Sequence, residues 1–263
     1  MTPAEDKFFR GRITERKEFS EDLWMIRVDP GGDFRFVAGQ YATLGVQASD
    51  KLSERPYSIV SAPFEKQLEF FIELVPHGEL TPLLYKLHVG DEMFIRKVSK
   101  GRFTLDTKSG HTNHFLLCTV TGVAPFVSYV RSLSKSEAEG TFKGEHKLFL
   151  VEGASRSWEL GYQAELEKAA ASHSWLKYVP TVSRPWEDEK WTGETGRVDE
   201  LIRKYSDLWG LEPSNTTIYL CGNPDMIENG KGILKRKRFA KESMKEEVYW
   251  IPGKEPETLP PSP

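Results

Sequence analysis

Arg55, Pro56, Tyr57 and Ser58, continuing through Ile59, Val60, Ser61 and Ala62, put a guanidinium, a hydroxylated ring and a hydroxyl on one short extended run. Together they suit a flavin: charge for its pyrophosphate, a ring to stack, and a hydroxyl near the redox nitrogens. Each residue type also occurs on any half-buried strand, so the run gains weight only from its company further along the chain. Some twenty residues on, Gly78, Glu79, Leu80 and Thr81 form a glycine-bearing turn before a helix start, where backbone N–H groups favour a diphosphate. Thr81 also reads as a plain N-cap, and both readings hold together.

Three further constellations point to a second nucleotide. Thr119, Val120, Thr121, Gly122, Val123, Ala124 and Pro125 lie between an apolar strand and an amphipathic helix. Ligands of open α/β sheets bind beyond the carboxyl ends of the strands, so this loop is a pyrophosphate or nicotinamide site, although it is not the G-x-G-x-x-G fingerprint. Cys221, Gly222, Asn223 and Pro224 follow another apolar strand, and a small polarisable thiol there suits contact with a nicotinamide ring. Cys118, ending an apolar run, reads as core. Ser183 with Arg184, and Gly196 with Arg197, supply two guanidiniums that would select NADP over NAD if they converge on one phosphate; Ser155 and Arg156 offer a third contact. The plain alternatives are a tight turn at Gly122 and solvated arginines.

These residues must be positioned by two sets of elements. Over the first hundred residues, β-branched and aromatic runs at 10–16, 23–28, 41–46, 57–61, 68–75 and 92–96 are broken by Gly, Pro and Asp, predicting six strands of an antiparallel Greek-key β-barrel. One short helix interrupts it, with Thr81 as N-cap, Pro82 at its first position and Leu83, Leu84 and Leu87 as its apolar face. After about residue 109 the rhythm changes to apolar strands at 115–118, 148–151, 176–182, 217–221 and 248–250, alternating with helical segments. That pattern predicts a doubly wound parallel sheet. Its first helix is marked by Pro125 and by Phe126, Tyr129, Val130 and Leu133 at i, i+3, i+4 and i+7. The expected organisation is therefore a two-domain β plus α/β chain: a barrel domain over 1–108, an α/β domain over 109–250, and a Pro-rich extension over 251–263 with five prolines.

Composition excludes several classes. A net charge of −3 gives no reason to expect a nucleic-acid or membrane-surface protein. No run approaches the ~18 apolar residues of a bilayer span, and the first ten residues lack a signal-peptide core, so a cytoplasmic protein is expected; a monomer is the accompanying expectation. Cys118 and Cys221 stand far apart with no CxxC pair, and none of the six histidines has a metalloprotease spacing. Neither a disulfide framework, an iron-sulfur cluster nor a metal site is expected.

The order RPYS, GELT, TVTGVAPF and CGNP, closed by Tyr249 and Trp250, resembles the ferredoxin-NADP reductase family, especially its bacterial-type members. The resemblance runs from about Phe9 to Trp250. It implies that Arg55 pairs with the FAD pyrophosphate, Tyr57 stacks on the isoalloxazine, and Ser58 lies near flavin N5, with Pro56, Ile59, Val60 and Ser61 completing the strand contacts. It also implies FAD phosphate contacts at Gly78, Leu80 and Thr81, and NADP contacts at Thr121, Gly122, Ala124 and Pro125. Cys221, Gly222 and Asn223 would lie under the nicotinamide, and Trp250 matches an aromatic that can stack on FAD. Ser58, Cys221 and Glu247 are the candidate catalytic groups, Glu247 for proton movement.

The chain departs from the family pattern twice. Val120 stands where the family usually has Gly, and thirteen residues extend beyond Trp250. The implied activity is hydride exchange between NADP(H) and FAD with single-electron transfer to an acidic ferredoxin or flavodoxin. Lys231, Lys235, Arg236, Lys237, Arg238, Lys241 and Lys245 form the densest basic stretch, which could steer such a carrier. The alternatives are an NAD(P)H-dependent reductase supplying an oxygenase or free acceptor, and a non-catalytic FAD electron-transfer subunit.

Overall fold

A computed structural model describes residues 7–48 and 51–248. Six antiparallel strands make the first sheet: β1 (Phe8–Glu18), β2 (Leu23–Asp29), β3 (Tyr41–Ala48), β4 (Lys51–Ser58), β5 (Leu68–Glu73) and β6 (Glu92–Arg96). Their order is β4-β3-β6-β1-β2-β5. The chain leaving β4 curls back to β5, where Val60 N–H donates to Glu69 O at 2.9 Å, so the sheet rolls toward closure. Ile13, Trp24, Ile26, Val28, Leu44, Phe70 and Ile95 fill its interior.

Five of the six predicted strands lie where the sequence placed them. The fourth differs: it spans Lys51–Ser58, and 59–61 come after its end. Alternation in KLSERPYS is masked by charge, because β4 lies at the sheet edge with Glu54 and Arg55 half-buried and Pro56 exposed. Edge strands admit charge and proline at little cost.

The second sheet is parallel and ordered β10-β9-β8-β7-β11-β12, comprising β7 (Asn113–Thr119), β8 (Lys147–Ala154), β9 (Leu176–Val182), β10 (Glu194–Thr195), β11 (Thr216–Gly222) and β12 (Met244–Val248). The wholly buried run of β11 is the signature of a strand covered on both faces. Helices α2 (Ala124–Ala138) and α3 (Gln163–Ser172) cover one face; α4 (Val198–Leu208) and α5 (Pro224–Arg236) cover the other. Helix α4 buries Val198, Leu201, Ile202 and Tyr205 at helical spacing. The Asn223 side chain caps α5, accepting from Asp225 N–H at 2.9 Å and Met226 N–H at 3.2 Å, with Pro224 as the first helical residue. The predicted last strand at 248–250 begins earlier, at Met244, while Tyr249, Trp250 and the 251–263 extension lie outside the described residues.

The domains share one core and one buried charge cluster. Leu23, Met25, Val60, Phe71 and Phe103 of the first domain pack with Leu116, Phe126, Tyr129 and Tyr162 of the second. Beside them Glu69 of β5, 2 % exposed, accepts from Arg27 at 2.9 Å, Arg131 of α2 at 3.1 Å and the Tyr162 hydroxyl at 2.6 Å. Burial pushes the Glu69 carboxyl up, but Arg131, Tyr162 and Arg27 together outweigh it and hold the group below its usual range. Its stabilising share is present above the unfolded-state carboxyl pKa and is lost as pH falls through the lowered folded value. Arg131→Met should therefore destabilise the two-domain unit by about 3 kcal/mol at pH 7, because it strips a buried carboxylate of its main counter-charge. The loss should shrink at acidic pH, as urea unfolding at pH 7 and at pH 4 would measure.

Candidate active site

Ser58 ends β4 and is buried, and its Oγ–H donates to the carboxylate of Glu247 on β12. This bond joins the barrel's edge strand to the second domain's edge strand. Burial raises the Glu247 carboxyl above its usual range, and the hydrogen bond from Ser58 only partly offsets that. Glu247 therefore keeps a proton more readily than a surface glutamate. Tyr57, half-buried against the barrel core, has its phenol pushed up by burial, with Arg55 opposing. Arg55 donates to Glu54 O at 2.6 Å and to Glu79 at 2.7 Å. Hydrogen bonds from Lys51 and Arg55 hold the Glu79 carboxyl low.

The remaining predicted flavin residues are held by internal contacts. The side chains of Ile59 and Val60 lie wholly inside the core, and Ser61 accepts from Glu69 N–H at 3.2 Å and, through its carbonyl, from Ser128 at 2.7 Å. Their side chains anchor the run to the core. Gly78 closes a turn on Val75 O at 2.8 Å. Thr81 is not the N-cap: Leu80 holds that position, 2 % exposed, and Thr81 opens the short helix α1 (Thr81–Tyr85). The Thr81 hydroxyl instead accepts from Val75 N–H at 3.0 Å and donates to Val75 O at 3.1 Å, because the tight turn at Gly78 brings that strand exit within reach.

At the carboxyl end of the parallel sheet, the 119–125 and 221–224 loops interlock. A Cβ on Gly122 would stand 2.7 Å from the Cys221 carbonyl carbon, and one on Gly222, whose φ is 118°, would stand 2.9 Å from Thr119 O. Thr119 Oγ1 accepts from Asn223 N–H at 2.8 Å. Only glycine permits this approach of two backbones. Val120 has φ 44°, a left-handed conformation that strongly disfavours a β-branched residue. Its side chain packs against the cluster of Ala154, Leu160 and Val182, which Trp191 also joins. Ala124 and Pro125 are buried in the first turn of α2.

Four residues fall in register across adjacent strands: Glu247 on β12, Cys221 on β11, Cys118 on β7 and Glu152 on β8. The two cysteines are wholly buried in the core shared with the barrel, so the Cys221 thiol lies beneath the loop surface. Burial raises the Cys118 thiol far above its usual range. Glu152, which carries no motif to single it out in the sequence, is fully buried; Oε2 accepts from Tyr178 OH at 2.6 Å, and Oε1 has no partner among the described residues. Burial drives its pKa up to about 8.

At the ends of β8 and β9, Arg156 and Arg184 both face Glu187, while Arg197 turns to Asp199 at 3.4 Å. Arg184 thus shares a carboxylate with Arg156, the third contact the sequence offered, while Arg197 pairs with a different one. The bond from Gly196 N–H to Val182 O, 2.9 Å, keeps Arg197 in the same neighbourhood.

The donor set fits two nucleotides. A guanidinium, a half-buried ring and the Ser58–Glu247 pair stand together on β4 and the strand it meets, β12, and the glycine-interlocked loops and three arginines follow the carboxyl ends of the parallel strands. Fold and site define a two-domain flavin- and nicotinamide-nucleotide-dependent oxidoreductase. Residues 10–105 match the oxidoreductase FAD-binding domain family, and residues 116–231 match the oxidoreductase NAD-binding domain family. A flavodoxin/ferredoxin-NADP reductase of Escherichia coli is 31% identical over 227 residues, covering 83% of this chain and 86% of its own. One from Buchnera aphidicola is 30% identical over 253 residues, covering 91% and 97%. A solved ferredoxin NADP+ reductase from Neisseria gonorrhoeae, with bound FAD and NADP, superposes with a TM-score of 0.80 at 26% identity, covering 93% and 99%. The chain belongs to the ferredoxin/flavodoxin-NADP reductase family and is an FAD-dependent oxidoreductase.

Gly122→Ala should force the two loops apart, lowering stability by about 1–3 kcal/mol and sharply weakening nicotinamide-nucleotide binding, while the FAD absorbance of the purified protein stays. Thermal melts and nucleotide difference spectra check both. Glu152→Gln tests the buried acid. The native state keeps the Glu152 proton up to about pH 8, whereas the unfolded chain releases it near 4.5, so native stability falls as pH rises between those values. The glutamine variant should match the native protein near pH 4.5 and exceed it by on the order of 4 kcal/mol at pH 8, as urea unfolding across that range would reveal.

Proposed function

We propose that the protein exchanges a hydride between NADP(H) and FAD and passes single electrons to or from a small acidic carrier, a ferredoxin or flavodoxin. The observation that carries this reading is the hydrogen bond from Ser58 to Glu247, which couples the flavin-binding strand to the nucleotide-binding domain. FAD supplies the two-electron-to-one-electron conversion when bound. Arg55, with the 78–81 turn, offers the charge and backbone donors for its diphosphate, and Tyr57 offers a ring face. Ser58 orients its Oγ–H, and Glu247, kept receptive to a proton by burial, relays it at that hydroxyl. Thr121, Gly122, Ala124 and Pro125, with Cys221, Gly222 and Asn223, form the nicotinamide side, and Arg156, Arg184 and Arg197 the phosphate side. Trp250 belongs to this reading but lies outside the described residues.

The division at 108/109 is supported by the change from antiparallel to parallel pairing. No helix among the described residues is long and apolar enough to cross a membrane; a cytoplasmic monomer is the accompanying proposal. In the basic stretch Lys231, Lys237 and Lys245 are tied to Glu246, Asp207 and Asp106. That leaves Lys235, Arg236, Arg238 and Lys241, with no ion pair among the described residues, to attract an acidic carrier. One relative favours a second reading. The ferredoxin-NAD(P)+ reductase component of a naphthalene 1,2-dioxygenase system from Pseudomonas putida is 30% identical over 250 residues, which cover 94% of this chain and 70% of that one. Turnover with an oxygenase's ferredoxin but with no other carrier would favour it.

Anaerobic mixing with NADPH should bleach the flavin, and Glu247→Gln or Ser58→Ala should slow that step by about 10- to 100-fold while retaining FAD. Absence of bleaching in the native protein would instead identify a non-catalytic FAD subunit.

A further inference from the structure

The two loops at the ends of β8 and β9 are built around one carboxylate. Glu187 Oε2 accepts from Arg156 Nε at 2.7 Å, and Glu187 Oε1 lies 3.7 Å from Arg184. The loops are pinned to one another: Arg184 N–H donates to Ser155 O at 3.0 Å and Ser157 N–H to Asp188 at 3.1 Å. The arginines therefore keep a fixed spacing with one anion between them. A second glutamate nearby does a different job. Glu159 accepts from Ser155 N–H at 2.8 Å and Arg156 N–H at 3.3 Å as well as from the Arg156 side chain at 3.1 Å, so moving it would strip a loop of its backbone partners. Among the described residues the Glu187 carboxylate is held by the two guanidiniums alone, and its side chain is about one-third exposed, at 34%. It can swing to solvent without unsatisfying any backbone group.

We propose that Glu187 sets the choice between phosphorylated and unphosphorylated nicotinamide nucleotides, an inference that rests on the proposed function. A ribose 2′-phosphate carries about −1.5 to −2 charge at pH 7 and competes directly with Glu187 for Arg156 and Arg184, so binding NADP(H) requires the carboxylate to leave. A free 2′-hydroxyl is a donor, and Glu187 left in place accepts from it, as acidic residues do in NAD sites. Glu187 thus weakens NADP(H) and strengthens NAD(H), and the site accepts both.

The test is calorimetric titration of the FAD-loaded, oxidised protein with NADP+ and with NAD+, native against Glu187→Gln. The variant should bind NADP+ about tenfold more tightly and NAD+ several-fold more weakly, because a like charge and a charged acceptor are removed together. Unchanged affinities, or equal shifts for both nucleotides, would overturn the proposal. Because this readout is binding, it is separable from the parent reading: a native protein whose flavin fails to bleach would sink the proposed hydride transfer, while the ratio of the two affinities still judges Glu187.

Discussion

A glutamate taken out of water on β5 fixes how the rest of the molecule is arranged. A buried carboxylate is tolerable only when counter-charges and donors surround it. Glu69 finds one cation on its own sheet, Arg27, and its other partners across the domain boundary, in Arg131 of α2 and Tyr162 just before α3. Arg131 also holds Glu165 at 2.7 Å, so the cluster ties β5 to both helices on one face of the parallel sheet. Rotation of either domain would expose that charge or strand it. The apolar core running through the same boundary, with Phe71 edge-on to Tyr162 at 5.2 Å, adds area, but the charge cluster supplies direction. With that orientation fixed, Ser58 and Glu247 meet across the boundary.

Much of this is legible in the sequence, and the failures have common physical causes. Continuous apolar runs such as FLLC and IYLC read correctly as covered parallel strands, because burial on both faces leaves no polar alternation. The edge strand β4 is displaced from its predicted place because KLSERPYS carries charge on both faces, and Thr81 is not the expected N-cap because its hydroxyl has a nearer partner at Val75 than the helix it opens. Glu69 in LEFFIE and Glu152 in FLVEGA look like solvent-facing members of otherwise apolar strands. Only the three-dimensional neighbours reveal them as buried, one ion-paired and one holding its proton. The sharing of Glu187 by Arg156 and Arg184 is equally unreadable, since it depends on which loops lie side by side.

Val120 shows how a sequence-level anomaly and a structural one can be the same fact. The family's usual glycine there reads as permission for close approach, yet the backbone makes a stronger demand: φ is 44°, a region glycine enters freely and a β-branched residue enters at a cost of order 1–3 kcal/mol. The interlock leaves the chain little choice. Thr119 is tied to Asn223, Gly122 abuts the Cys221 carbonyl, and the residues between must turn sharply from β7 into α2. Packing of the valine against the cluster of Ala154, Leu160 and Val182 returns part of that strain as buried apolar contact. The turn is thus held by its surroundings rather than by its own preference.

The same logic governs charge at the two places where phosphates are expected. Arg55 is met by Glu79, and Arg156 and Arg184 by Glu187. Guanidiniums gathered on short loops repel one another, and a carboxylate among them relieves that repulsion while fixing the loops' spacing. The carboxylates sit at partly exposed positions, where an ion pair is worth little and is exchanged readily. Glu69 is the opposite case, because its pairs are buried and breaking one is expensive. Depth therefore sorts identical chemistry into two roles: the buried cluster holds the domains in one orientation, and the exposed pairs keep cationic loops in shape while leaving them able to trade one anion for another.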